Sequence, residues 1–137
     1  MVVDLNGDGR LDVAVAFNGV PGFSVLLNEG DGALGEPTRY SLPAHIQSLA
    51  AGDFAGDGRV ALVGAGDVDY VCLLPNQGGG VFGEPRRIAK GLAPAVIRAA
   101  DLDGNGSLDL AVTNNGHVLV LFNNGKGSFE KQLKLRL

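Results

Sequence analysis

The sequence predicts an all-β chain made of three repeated four-stranded units. Three observations carry that expectation. Glycine reaches 22 of 137 residues, more than double the usual ~7%, and together with Val and Leu runs it suggests many short strands joined by tight turns. An acidic string recurs three times, as DLNGDGRLD from Asp4, DFAGDGRVA from Asp53 and DLDGNGSLD from Asp101. A second string follows each at nearly constant distance: NEGDGALGEP from Asn28, NQGGGVFGEP from Asn76 and NNGKGSFEKQ from Asn123. Two motifs that keep step through three copies mark a repeat architecture.

Each unit divides by the rules for strands and turns. A leading strand (SLAAGD, VIRAAD) enters the acidic loop. A second follows it (LDVAVAF, VALVGAG, LDLAVTN) and a third comes next (FSVLLN, YVCLLPN, HVLVLFN). An Asn-Gly-Gly hairpin then leads to the fourth (PTRYSL, PRRIAK, KQLKLRL). No long segment has helical periodicity. In the second strand of the first unit, Leu11, Val13, Val15 and Phe17 alternate with Asp12, Ala14 and Ala16. The run Val118 to Phe122 is apolar on both faces. Strands of this kind belong to sheets covered on both sides. Four antiparallel strands in about 48 residues is the size of a β-propeller blade. The expected blades are residues 1–44, 45–92 and 93–137.

The acidic string suits a hard divalent cation. Calcium takes six to eight oxygens, and its loops use alternating side chains, one backbone carbonyl and a glycine at the sharp turn. In the first copy the candidate ligands are Asp4, Asn6, Asp8 and Asp12, with the carbonyl of Arg10; Gly9 sits at the turn. In the third they are Asp101, Asp103, Asn105 and Asp109, with the carbonyl of Ser107 and Gly106 at the turn. All donors are oxygens, which favours calcium over zinc or copper. The second copy keeps Asp53, Asp57 and the Arg59 carbonyl but has Ala55 and Ala61 at two ligand positions. It is expected to fold as a turn without tight metal binding. An EF-hand is excluded because its twelfth position, a Glu, is Val15 here, inside a strand. A dockerin-like loop is excluded because it runs into a helix.

DLNGDGRLDVAVA, DLDGNGSLDLAV and the N-x-G-x-G-x-[LF] hairpin together resemble the FG-GAP/VCBS repeat family, whose calcium-loop blades also occur in integrin alpha-subunit propellers. The resemblance covers essentially the whole chain. It implies a propeller in which calcium staples the loop between the first two strands of a blade, with partners usually bound on the opposite face. The calcium role carries over to copies one and three, and copy two departs from the pattern.

Three blades do not make a ring, because propellers have four to eight, and Met1 aligns with Ala50 of the second unit. Two arrangements follow: part of a longer six- or seven-bladed protein, or two chains joined head to tail into a six-bladed ring.

The favoured function is a non-catalytic, calcium-stabilised scaffold that binds protein or carbohydrate. Its candidate ligand residues are Asp67, Asp69, Tyr70, Asn114, Asn115 and His117, in loops opposite the acidic ones. The alternative is a propeller segment of a secreted polysaccharide-active enzyme. With only two histidines, His45 and His117, and no Ser/His/Asp or metal–histidine set, catalysis is not expected. A net charge of −4 without a basic stripe argues against nucleic acid. No segment has the length and apolarity of a membrane helix, and the first residues do not read as a secretory signal. An extracellular, periplasmic or cell-surface location is expected, with the targeting signal outside this sequence. The single Cys72 reads as a small buried hydrophobe. Two G-x-G-x-x-G matches, from Gly30 and Gly78, lead to Pro37 and Pro85 and then strands, so neither opens a phosphate-binding helix. The sequon at Asn105 lies inside a metal loop, where glycosylation would compete with ligation.

Overall fold

The computed structural model describes residues 1–17, 19–67, 70–90, 96–114 and 116–137. Among them there are only strands, bridges and turns, and no helix long and apolar enough to cross a membrane. The first blade contains β1 (Val2–Val3), β2 (Asp12–Ala16), β3 (Phe23–Leu26), the small hairpin β4 (Asn28–Gly30) and β5 (Ala33–Leu34), and β6 (Thr38–Tyr40). The second contains β7 (Ile46–Gly52), β8 (Ala61–Gly66), β9 (Tyr70–Leu74) and β10 (Arg86–Lys90). The third contains β11 (Val96–Ala100), β12 (Asp109–Asn114), β13 (His117–Phe122) and β14 (Lys131–Arg136).

The result is three four-stranded meanders, ordered β1-β2-β3-β6, β7-β8-β9-β10 and β11-β12-β13-β14, antiparallel throughout. None closes on itself. The β4–β5 hairpin is the element not anticipated as strands. It uses the glycine-rich string after Asn28, and its counterpart in the second blade shrinks to one bridge, Asn76 to Phe82.

Register explains why both faces of the central strands are apolar. Leu62 opposes Leu74, and Gly64 opposes Cys72. These face the first blade, in a core shared with Leu5, Ala14, Phe23 and Val25. The alternate pairs, Val63 with Leu73 and Ala65 with Val71, face the third blade and meet Leu110, Val112, Leu119 and Leu121. Every residue of β8 is buried, a consequence of sheets on either side. Burial of each such aliphatic side chain contributes roughly 1.5–3 kcal/mol, so most of the stabilising area lies between blades. Gly66 is required by close approach, since a Cβ there would collide with the His45 carbonyl. Burial pushes the Cys72 thiol above its ordinary value, consistent with a packing role.

The anticipated alternation in β2 has an instructive outcome. Asp12 and Ala14 are completely buried, whereas Leu11 and Phe17, on the other face, are exposed. Among the described residues, no blade packs against that face.

Antiparallel connectivity sorts the loops. Each acidic loop (β1–β2, β7–β8, β11–β12) and each Asn-Gly hairpin before the outer strand lie at one end of the blades. The end of β8 with the start of β9, and the end of β12 with the start of β13, lie at the other.

Candidate metal centres and ligand face

The first Asp of each acidic string builds the turn. Asp4 accepts the amides of Gly7 at 2.7 Å and Gly9 at 2.8 Å. Asp101 accepts those of Gly104 at 2.8 Å and Gly106 at 2.9 Å. Asp53 does the same with Gly56 at 2.7 Å and Gly58 at 2.8 Å. The amide of Gly9, with desolvation opposing it and Gly7 adding to it, holds the Asp4 carboxyl below its ordinary value. Gly9, Gly58 and Gly106 adopt φ of 83°, 80° and 86°, the left-handed conformation that a side chain disfavours.

The last Asp does something different. Asp12 is fully buried; its Oδ2 accepts the Leu5 amide and its Oδ1 the Asn28 amide, both at 2.8 Å. Asp109 is equally buried and repeats the pattern with Leu102 and Asn123, again at 2.8 Å. Each carboxylate therefore ties the acidic loop to the hairpin beside it. A carboxylate so far from water requires compensation, which two amides supply in part and a cation would complete. At the second loop Ala61 carries no such charge, and the Phe54 amide bonds to the Gly52 carbonyl instead, at 3.1 Å.

The third loop converges most. One oxygen from each of Asp101, Asp103 and Asp109 lies within 4.8 Å of the others, an all-oxygen arrangement that fits a hard cation. Asn105 turns back into the loop, its Oδ1 accepting the Ser107 amide at 2.7 Å. The first loop has Asn6 where the third has Asp103, and its Asp8 is engaged by Arg10: the guanidinium reaches the carboxylate at 2.6 Å and the Asn28 carbonyl at 2.7 Å. Asp57 in the second loop accepts the Arg59 amide at 3.0 Å.

The residues that sequence reasoning left without a role are the hairpin asparagines. Asn76 donates its amide to the Leu5 carbonyl of the preceding blade at 2.7 Å and to Val60 of its own at 2.9 Å. Asn123 donates to Phe54 at 2.8 Å and Leu108 at 3.1 Å. Each asparagine thus clips its hairpin to the acidic loop of the blade before it. The signal was present as an Asn at the same phase in every copy.

Of the candidate ligand residues, Asp69 and Asn115 lie outside the described residues. Tyr70 is half-buried, and Arg87 covers one ring face at 4.4 Å from the centroid. Asp67 is exposed and accepts the His45 amide at 3.1 Å, so one oxygen organises the link between blades. Asn114 and His117 oppose each other at the end of the β12–β13 hairpin. All four described residues lie at the end away from the acidic loops. A separate concave wall of 680 Å³ runs along the inner strands, where Gln47, Ser48 and Arg98 supply polarity.

Comparison with solved structures finds the same architecture. A lectin from Agrocybe aegerita, described as specifically recognising non-reducing terminal N-acetylglucosamine, superposes with a TM-score of 0.68 at 27% identity. The match covers 99% of this chain and 37% of the lectin, so the chain spans little more than a third of its length. A Photorhabdus luminescens Tc holotoxin pore matches at 24% identity and a TM-score of 0.57, over 99% of this chain and 7% of that one. None of the curated proteins compared with the chain matches it. The profile of the FG-GAP-like repeat matches twice, over residues 4–64 and 53–112. Those two matches span both complete acidic-loop periods and most of the chain, which belongs to the FG-GAP-like repeat family.

Proposed function

We propose that the chain is a non-catalytic, calcium-stabilised binding scaffold of an extracellular, periplasmic or cell-surface protein, with carbohydrate as its ligand class. The observation that carries the carbohydrate reading is the likeness over 99% of the chain to a lectin that recognises terminal N-acetylglucosamine. Three rigid blades present loops rich in Asn, Asp, His and Tyr, whose amides, carboxylates and ring faces suit sugar hydroxyls and apolar sugar faces. In this reading Asp4, Asn6, Asp8, Asp12 and the Arg10 carbonyl hold one calcium. Asp101, Asp103, Asn105, Asp109 and the Ser107 carbonyl hold another. Each ion offsets buried carboxylate charge and fixes the loop without entering any chemistry. Protein remains the second class of partner, since integrin-like blades share the motif.

A glycan array of terminal N-acetylglucosamine, galactose and glucose displays, read in calcium and then in chelator, is the test. Selective retention of the N-acetylglucosamine spots, weakened in chelator, is expected. Uniform absence of signal on every glycan in calcium would refute the carbohydrate reading, and turnover of a bound glycan would refute the non-catalytic one.

A further inference from the structure

We propose that calcium in the first and third loops fixes the two joints between the blades, and that the second blade, whose own loop lacks the cage, is held by its neighbours' ions. This rests on the calcium reading above and adds a route from each ion to one interblade contact.

Each joint turns on one residue held from two sides. At the first joint it is Leu5. Its amide donates to Asp12 Oδ2 at 2.8 Å within the first loop, and its carbonyl accepts Nδ2 of Asn76, from the second blade, at 2.7 Å. At the second joint it is Asn123. Its backbone amide donates to Asp109 Oδ1 at 2.8 Å, and its Nδ2 donates to the Phe54 carbonyl of the second blade at 2.8 Å. Leu5 and Asn123 are each 2% exposed, so water offers neither a substitute partner. In both cases the buried last Asp of an acidic loop holds one side of the residue, and the second blade holds the other. Each oxygen of such a carboxylate has two acceptor sites, of which one amide uses one. A cation coordinated at the other fixes the carboxylate and, through its amides, the joint.

The halves that the second blade contributes have no such backing. Ala61 stands where its neighbours have Asp12 and Asp109. The Phe54 amide bonds to the Gly52 carbonyl, and the Asn76 side-chain oxygen accepts the Gly78 amide at 2.8 Å. Each joint therefore contains one half backed by a buried carboxylate and one that is not. At the first joint the backed half is the loop of the first blade. At the second it is the hairpin of the third. One backed half per joint is how the fold keeps a middle loop with Ala55 and Ala61.

Two amides report the joints from outside the acidic loops. Phe82 of the second blade donates to the Tyr40 hydroxyl of the first at 3.3 Å. Ile97 of the third donates to Ser48 Oγ of the second at 3.2 Å.

The experiment is residue-resolved amide hydrogen exchange on the full chain, in calcium and in chelator, with titration calorimetry on the same samples. At a hundredfold excess over the dissociation constant, calcium is expected to slow both amides about tenfold or more. Asp8→Ala removes an exposed first-loop ligand and leaves Asp12, Leu5 and Asn76 in place. Calcium should then no longer slow Phe82 and should still slow Ile97. Asp103→Ala, at an exposed ligand of the third loop, should do the reverse. Asn76→Ala cuts the first route beyond the metal: calorimetry should still count two ions, while calcium protection of Phe82 is lost. Should Asp8→Ala or Asp103→Ala fail to fold, Asp8→Asn and Asp103→Asn, which keep the side-chain shape, take their place. Calcium heat without slowing of either amide overturns the coupling and leaves the calcium reading standing. Equal slowing of both amides in every variant also overturns it, since the protection is then global. Absence of calcium heat in the native chain overturns both.

Discussion

The second and third acidic loops share a backbone turn and differ in what it encloses. Both use the first Asp to hold two glycine amides. Only the third buries a carboxylate at its ninth position, where Asp109 has no exposure and ties Leu102 to Asn123. The second has Ala61 there and satisfies the Phe54 amide from Gly52. The turn and the metal cage are thus separable functions of one string. Asp53 is retained because it builds the turn, whatever happens to the metal. Burying a charge in the third loop is worthwhile only if something balances it, so metal dependence should concentrate where the ninth position is acidic.

The largest expected effect comes from making the third loop like the second. Asp109→Ala removes two hydrogen bonds to a carboxylate, each worth about 1.5–3 kcal/mol. It leaves the backbone amide of Asn123, a residue only 2% exposed, without its acceptor. A loss of about 3 kcal/mol or more is expected from urea unfolding in chelator, where metal plays no part. Asp57→Ala in the second loop removes one exposed bond to Arg59 and should change stability by less than about 1 kcal/mol. Equal losses from the two variants would erase the distinction between cage and turn.

Calcium itself gives the next effect. Titration calorimetry is expected to count two ions for the native chain and one for Asp101→Ala. Ala55→Asp combined with Ala61→Asp restores both missing carboxylates of the second loop and should bring the count to three. At a hundredfold excess over the dissociation constant each site adds about 2.7 kcal/mol, visible as a melting temperature that rises in calcium and falls in chelator. A native chain whose melting curve is the same in both would remove calcium from the account.

The strand order and the position of every acidic loop were legible because they depend on period and turn chemistry, which are local. Alternation at Leu11 to Phe17 and the doubly apolar Val118 to Phe122 predicted sheets covered on both faces, which holds for the second blade, where every residue of β8 is buried, whereas Leu11 and Phe17 are exposed. What stayed illegible depends on the neighbouring blade. Nothing near Asn76 in sequence points to the Leu5 carbonyl, 71 residues away. Nothing local tells Leu102, which is exposed, from Phe54, which is not. The candidate ligand residues illustrate the same limit. Tyr70 reads as a free aromatic until Arg87 is seen over its ring, and Asp67 reads as a free acid until it is seen holding His45.

The smallest expected effect separates the first loop from the third. Both have a buried ninth-position Asp bonded to two amides, so their scaffolds are equivalent. They differ at the seventh position, where Arg10 stands against Ser107. The Arg10 guanidinium lies 2.6 Å from Asp8 and is 47% exposed, so it competes with a cation for one ligand without being locked in place. Exposed ion pairs contribute about 0–1 kcal/mol, and at the upper end that is about a fivefold change in an equilibrium constant. Arg10→Ala should therefore tighten calcium at the first loop by up to about fivefold, while Arg59→Ala, beside a loop not expected to bind metal, should leave both measured affinities unchanged. The backbone carbonyl of residue 10 is kept in the variant, so a tighter site reports the removal of the competing charge alone. A weaker site would mean that the Asn28 carbonyl held by Arg10 matters more to the loop than the charge does, and that the first loop needs its arginine as a strut.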